Sequence, residues 1–107
     1  MQSYNFEHKQ GDDYNQTLIF KNSDGSFVNL TGSLVKFTIK RKVNGEIVIQ
    51  KTLTVIDAIQ GKVKVSLSNT ETNTLSWTYV FDYELTDATG IVTTILWGKM
   101  TILSDIT

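Results

Sequence analysis

Apolar and polar residues alternate with a period of two along most of the chain. That spacing belongs to strands with one covered and one wet face. The clearest run is WTYVFDYEL, where Trp77, Tyr79, Phe81, Tyr83 and Leu85 share one side and Thr78, Asp82 and Glu84 the other, with Val80 the outward apolar position. In LVKFTIKRK, Val35, Phe37 and Ile39 alternate with Lys36, Thr38 and Lys40. Val63, Val65 and Leu67 are set against Lys62, Lys64 and Ser66, and Tyr14, Leu18 and Phe20 share a parity in YNQTLIFK. Ile47, Ile49, Leu53 and Val55 keep one parity through EIVIQKTLTV, with Lys51 the exception. Alternation this regular predicts antiparallel sheets covered on one face.

Turn chemistry separates the runs. NSDGS (Asn22 to Ser26) and VNG (Val43 to Gly45) each carry Gly after Asp or Asn, and DAIQG and DATG divide later strands. With no helical period between them, the pattern predicts an all-β, antiparallel sandwich or barrel of about seven strands, forming a single domain over residues 1–107. SNTETNTLS leaves room for a single helical turn. The last segment, IVTTILWGKMTILSDIT, breaks its own parity, since Ile91, Ile95 and Trp97 are odd and Met100 and Ile102 even. A bulge at Gly98 repairs this and predicts a long final strand that switches between sheets.

Composition narrows the classes of function. The 107 residues contain no Cys and no Pro, with 10 basic and 11 acidic side chains. Disulfides and thiolate metal sites are excluded. The balanced charge provides no electrostatic footprint for nucleic acid or an anionic membrane. Apolar runs fall far short of a bilayer span, and the polar opening MQSYNFEHKQGDDYNQ lacks a signal-peptide pattern. These features predict a soluble, unprocessed domain.

No residue set announces catalysis, and no cofactor or metal is expected. The one histidine, His8, has no nucleophile pattern to serve and cannot by itself make a zinc site. Asp82 and Glu84 lie roughly 6.6–6.8 Å apart along one strand face, a separation glycosidases use. Alternation with core aromatics accounts for them as solvated residues. Asp12, Asp13, Asp24 and Asp87 lack the spacing of a calcium loop. The stripe Trp77, Tyr79, Phe81 and Tyr83 would suit a sugar platform, but the face opposite, with Thr78, Asp82 and Glu84, could not then supply a core. The Asn-x-Thr patterns at Asn15 and Asn29 are chance-level matches in a chain rich in Asn and Thr.

The order of the pieces carries more than any one of them. NSDGSFVNLTG, then GKVKVSLS, then the WTYVFDYELTDATG hairpin and GKMTILSDIT, resemble the N-terminal domain of phage baseplate upper proteins, from Gly11 to Thr107. The resemblance implies an immunoglobulin-like β-sandwich and a non-enzymatic virion component, made in the host cytoplasm, that serves as a tail or baseplate assembly or attachment module. Its implied partners are other phage tail proteins and copies of itself; the alternative, from the aromatic residues, is a carbohydrate-binding module for a host glycan. Phe27, Val48, Val80 and Val92 are the outward apolar candidates for such contacts.

Overall fold

Two sheets face one another across the side chains that the period-two pattern marks as covered. The computed structural model describes residues 2–3, 5–42, 45–75 and 77–103, with the backbone alone at 2, 3 and 77. Its strands are β1 (Gln2–Ser3), β2 (Phe6–Lys9), β3 (Tyr14–Ile19), β4 (Leu34–Lys40), β5 (Ile47–Thr52), β6 (Thr54–Asp57), β7 (Lys62–Leu67), β8 (Trp77–Thr86) and β9 (Val92–Leu103). One short helix, α1 (Asn69–Asn73), follows β7. The larger sheet runs β1-β9-β8-β4-β5, with β2 also on β9; the smaller runs β3-β7-β6. The nine described strands exceed the roughly seven expected, chiefly because the amino-terminal segment adds β1 and β2.

The inward parities hold for Val35, Phe37 and Ile39 of β4, for Val63, Val65 and Leu67 of β7, and for Tyr79, Phe81 and Tyr83 of β8, all buried. The Trp77 side chain and the turn at Val43 and Asn44 lie outside the described residues. Phe37 stacks on Tyr83 with centroids 4.8 Å apart, and Phe81 meets Tyr83 edge-on at 5.8 Å. Phe20, just past β3 in the smaller sheet, reaches Tyr83 at 6.0 Å and so joins the two layers.

Turns form where the sequence places them, by the chemistry expected of Asx residues. Asp24 Oδ1 accepts from the Ser26 N–H and hydroxyl, and Asp87 Oδ1 accepts from the N–H groups of Thr89 and Ile91 and from the Thr89 hydroxyl. These bonds, the serine and threonine hydroxyls first, hold both carboxyls below the usual range. Asn29 Oδ1 takes the Thr31 N–H at 2.9 Å, so the Asn-Leu-Thr pattern is a turn that delivers the buried Leu30 to the core. Phe27, a few residues earlier, stays exposed with the Lys21 ammonium 5.4 Å from its ring centre. Gly61 has a φ of +62°, and an added Cβ would stand 2.6 Å from the Phe20 carbonyl oxygen, which requires glycine there.

Three local breaks in pairing change the expected parities. In β9 the register slips between Tyr83 and Glu84, which face Leu96 and Thr94, so the extra residue is Ile95. Gly98 pairs with Phe81 without interruption, and the whole of β9 stays in one sheet. The predicted bulge at Gly98 is therefore corrected to Ile95, and Trp97 turns outward. In β5, Ile39 faces Ile49 while Lys40 faces Ile47, leaving Val48 as the extra residue. Ile47 is consequently exposed, and Val48 packs half-buried against the core. The chain that does switch sheets is β5 to β6, around the buried Leu53, whose N–H donates to the Val35 carbonyl at 2.8 Å.

The first and last segments meet in parallel: Gln2 and Ser3 lie beside Leu96 and Trp97, and Phe6 to Lys9 beside Met100 to Leu103. At the break between β1 and β2, Asn5 Oδ1 accepts the Lys99 N–H. The β2–β3 connection is tied to α1. Gln10 Nε2 donates to the Leu75 carbonyl, Asp13 Oδ1 accepts the Asn69 N–H, and the buried Thr72 hydroxyl reaches the Asp12 carbonyl. A capping box joins Ser68 and Glu71, two donors and acceptors exchanged at the start of the helix. The Lys51 ammonium, from an inward parity on β5, escapes the core by pairing with Glu71 Oε1 at 2.6 Å. That bond, then the Ser68 N–H, lowers the Glu71 pKa.

Replacing Phe37 by Ala removes the ring that stacks on Tyr83 and leaves a cavity between the sheets. It should cost about 3–5 kcal/mol, against less than about 0.5 kcal/mol for Phe27→Ala, as read from urea unfolding midpoints.

Candidate partner-docking face

On the larger sheet, the outward side is built from cross-strand rows. Gln50, Thr38, Asp82 and Trp97 form one row across β5, β4, β8 and β9. Ile47, Lys40, Val80 and Lys99 lie beside it on one side, and Thr52, Lys36, Glu84 and Thr94 on the other. Leu34, Thr86 and Val92 complete the face at the far end.

The central row is unusual for a wet surface. Thr38 is only 3 % exposed although it points away from the core, while Trp97 remains 47 % exposed. Gln50 Nε2 donates to Thr38 Oγ1 at 3.1 Å. Asp82 Oδ1 is buried and has no hydrogen-bond partner among the described residues. Burial raises the Asp82 pKa, the Glu84 carboxylate on the same face raises it further, and Lys40 partly opposes both. An apolar ring and a poorly hydrated carboxylate oxygen thus stand side by side on a face of mixed charged, polar and apolar residues. A carboxylate withdrawn from water without a donor is a cost that a partner's N–H or ammonium would relieve.

Of the contact candidates, Val80 lies half-buried in the row beside that of Trp97, and Val92 is exposed but two rows from it on the other side. Phe27 projects from the Asp24 turn, off this face, and Val48 is taken up by the β5 bulge. The structure therefore brings only Val80 near the central row. Trp97 was missed because its parity was read through a bulge at Gly98; the even run Met100 and Ile102, extended back through Gly98 to Leu96, is the signal that places it outward. Asp82 and Glu84 do share a face, as expected, but that face is open and Lys36 lies opposite Glu84. His8 Nε2 is bonded to the Asp12 carbonyl at 2.8 Å, and its ring meets Tyr14 edge-on. Among the described residues no three His, Asp or Glu side chains come together as a metal site, and no helix is long and apolar enough to cross a membrane. Tyr79, Phe81 and Tyr83 are buried in the core and form no platform.

The BppU N-terminal domain model matches residues 2–74, from β1 through α1. The chain belongs to that family. The match covers the NSDGSFVNLTG turn and the β7 strand; the β8–β9 hairpin, with Trp97 and Asp82, lies beyond it. No curated protein matches the chain. Membership places the protein with phage baseplate structural domains.

The sign of the Asp82 shift sets its effect on stability. A carboxyl whose folded pKa is raised favours the fold when protonated; that contribution is complete below the ordinary carboxylate range and is lost as pH rises through the folded pKa. Asp82→Asn should therefore raise the melting temperature at pH 7, and the gain should vanish as pH falls below the ordinary carboxylate value of 3.8, in melts followed by circular dichroism.

Proposed function

We propose that this chain is a non-enzymatic tail or baseplate module that works by protein–protein packing, holding neighbouring tail proteins through the outward face of its larger sheet. Membership of the baseplate family supports the structural role. The observation that carries the docking face is the exposed Trp97 beside the unpartnered Asp82 oxygen. Tryptophan is enriched among residues that dominate binding energy, and a buried acceptor beside it prefers a partner that brings a donor. The strand order β3-β7-β6 against β9-β8-β4-β5 supports an immunoglobulin-like reading of the sandwich. In such a module the pairs of turn carboxylates serve conformation, and the virion is its place of work.

A glycan is the second reading, favoured by one arrangement: an exposed indole at the end of a row of polar residues, Asp82, Thr38 and Gln50. Sugars stack on such rings and hydrogen-bond beside them. Titration separates the two readings. Binding of the tail proteins encoded by the same phage should weaken by about 2 kcal/mol, or ~30-fold in Kd, in Trp97→Ala. Tail-protein binding indifferent to Trp97, together with indole quenching by a host-surface glycan, would transfer the face to the second reading.

A further inference from the structure

Among the described residues the two sheets end in four strand edges, and three of them are blunted. β5 carries the Val48 bulge and the inward-parity Lys51. β6 is four residues long, and its pairing slips between Val55 and Asp57. The β1–β2 edge is broken at Asn5 into pieces of two and four residues, the second bearing Glu7 and Lys9. Short lengths, bulges and charges are the devices by which edges avoid pairing with another chain. β3 has none of them. Its six residues, Tyr14-Asn15-Gln16-Thr17-Leu18-Ile19, pair with β7 without interruption, and no charge occurs among them. No described strand lies beyond it.

The free edge has a defined hydrogen-bonding phase. Phe20 N–H donates to the Gly61 carbonyl at the end of the β3–β7 ladder. Because such ladders alternate, the even residues bond to β7 and the N–H and C=O groups of Asn15, Thr17 and Ile19 point away. Consistent with that phase, the Thr17 carbonyl accepts from the Gln16 side chain, at 3.5 Å.

We propose that β3 is a homotypic docking edge, pairing antiparallel with β3 of a second copy about a two-fold axis at Gln16. Residues that face each other across such a pair must lie on the same side of the sheet. The Gln16 register places Tyr14 of one copy opposite Leu18 of the other on the inner side, and Asn15 opposite Thr17 on the outer side, where both present free backbone groups. Gln16 meets its own copy, and a carboxamide, unlike a charge, is both donor and acceptor and so complements itself. A two-fold at Thr17 would instead set Gln16 against Leu18 and Asn15 against Ile19, polar against apolar. A charge-free edge is what self-pairing demands, since any charge near the axis would approach its own image. The union makes one six-stranded sheet of two three-stranded ones.

The test uses the purified chain alone, so its failure leaves docking through Trp97 standing. Sedimentation at rising concentration should show a monomer–dimer equilibrium, weakened at least tenfold in Gln16→Lys, with the melt of the variant monomer unchanged because Gln16 is exposed. The chain has no native cysteine. Gln16→Cys should therefore cross-link to a symmetric dimer under mild oxidation, since a pair not hydrogen-bonded to each other brings Cα atoms to roughly 4.5 Å, within disulfide reach. Asn15→Cys should cross-link far more slowly. A monomer at millimolar concentration overturns the proposal. So does faster cross-linking of Thr17→Cys than of Gln16→Cys, or a β3 edge protected only when a different tail protein is added.

Discussion

The stack of Phe37 on Tyr83 holds neighbouring strands of the larger sheet together at its centre, and the other layers are arranged around it. Phe20 brings the smaller sheet to that stack, Phe81 meets Tyr83 edge-on, and Phe6 brings β2 to Phe81 at 5.2 Å. Aromatic pairs of this kind add about 0.5–1.5 kcal/mol each beyond the area they bury. With neither disulfide nor proline in the chain, this interlock has no covalent help. It also sets which strand faces are left over, and hence where a partner could be met.

The end of the sandwich near α1 shows how the core is sealed by polar contacts instead. Lys51 enters from the edge strand on the wrong parity for a charge and leaves by pairing with Glu71, which is already fixed by the capping box. Thr72 is wholly buried because its hydroxyl satisfies the Asp12 carbonyl. The helix is one turn long, too short to stand by itself. It persists because the β2–β3 connection lends it partners through Gln10 and Asp13.

The same logic separates the two surfaces proposed for binding. On the outward face of the larger sheet, side chains supply the chemistry, an indole and an acidic oxygen lacking a donor. On the β3 edge the backbone supplies it, and side chains matter chiefly by being uncharged. One module with both could hold a different protein on its face and a copy of itself along its edge. Repeated contacts of modest strength then add through effective concentration, which suits a large symmetric assembly.

Much of this was legible in the sequence, because its causes are local. The alternation of β4, β7 and β8 follows from the two-residue period of a strand, and the turns at Asp24, Asn29 and Asp87 follow from side chains that bond their own backbone. The stretch DGSFVNLTG forms a turn that delivers Leu30 to the core, and Phe27 within it stays outside. The parallel pairing of β1 and β2 with β9, the sheet switch at Leu53 and the site of the β9 bulge depend on residues far apart in the chain. Parity fixes a face only up to the first bulge, and whether Gly98 or Ile95 absorbs the extra residue is decided by what β8 and the opposing sheet can accept. Trp97 changed sides on that one choice. The sequence by itself therefore determined the β class, the turns and the core-facing residues, whereas the tertiary structure alone decided which leftover side chains share a surface, since that is a property of register between strands.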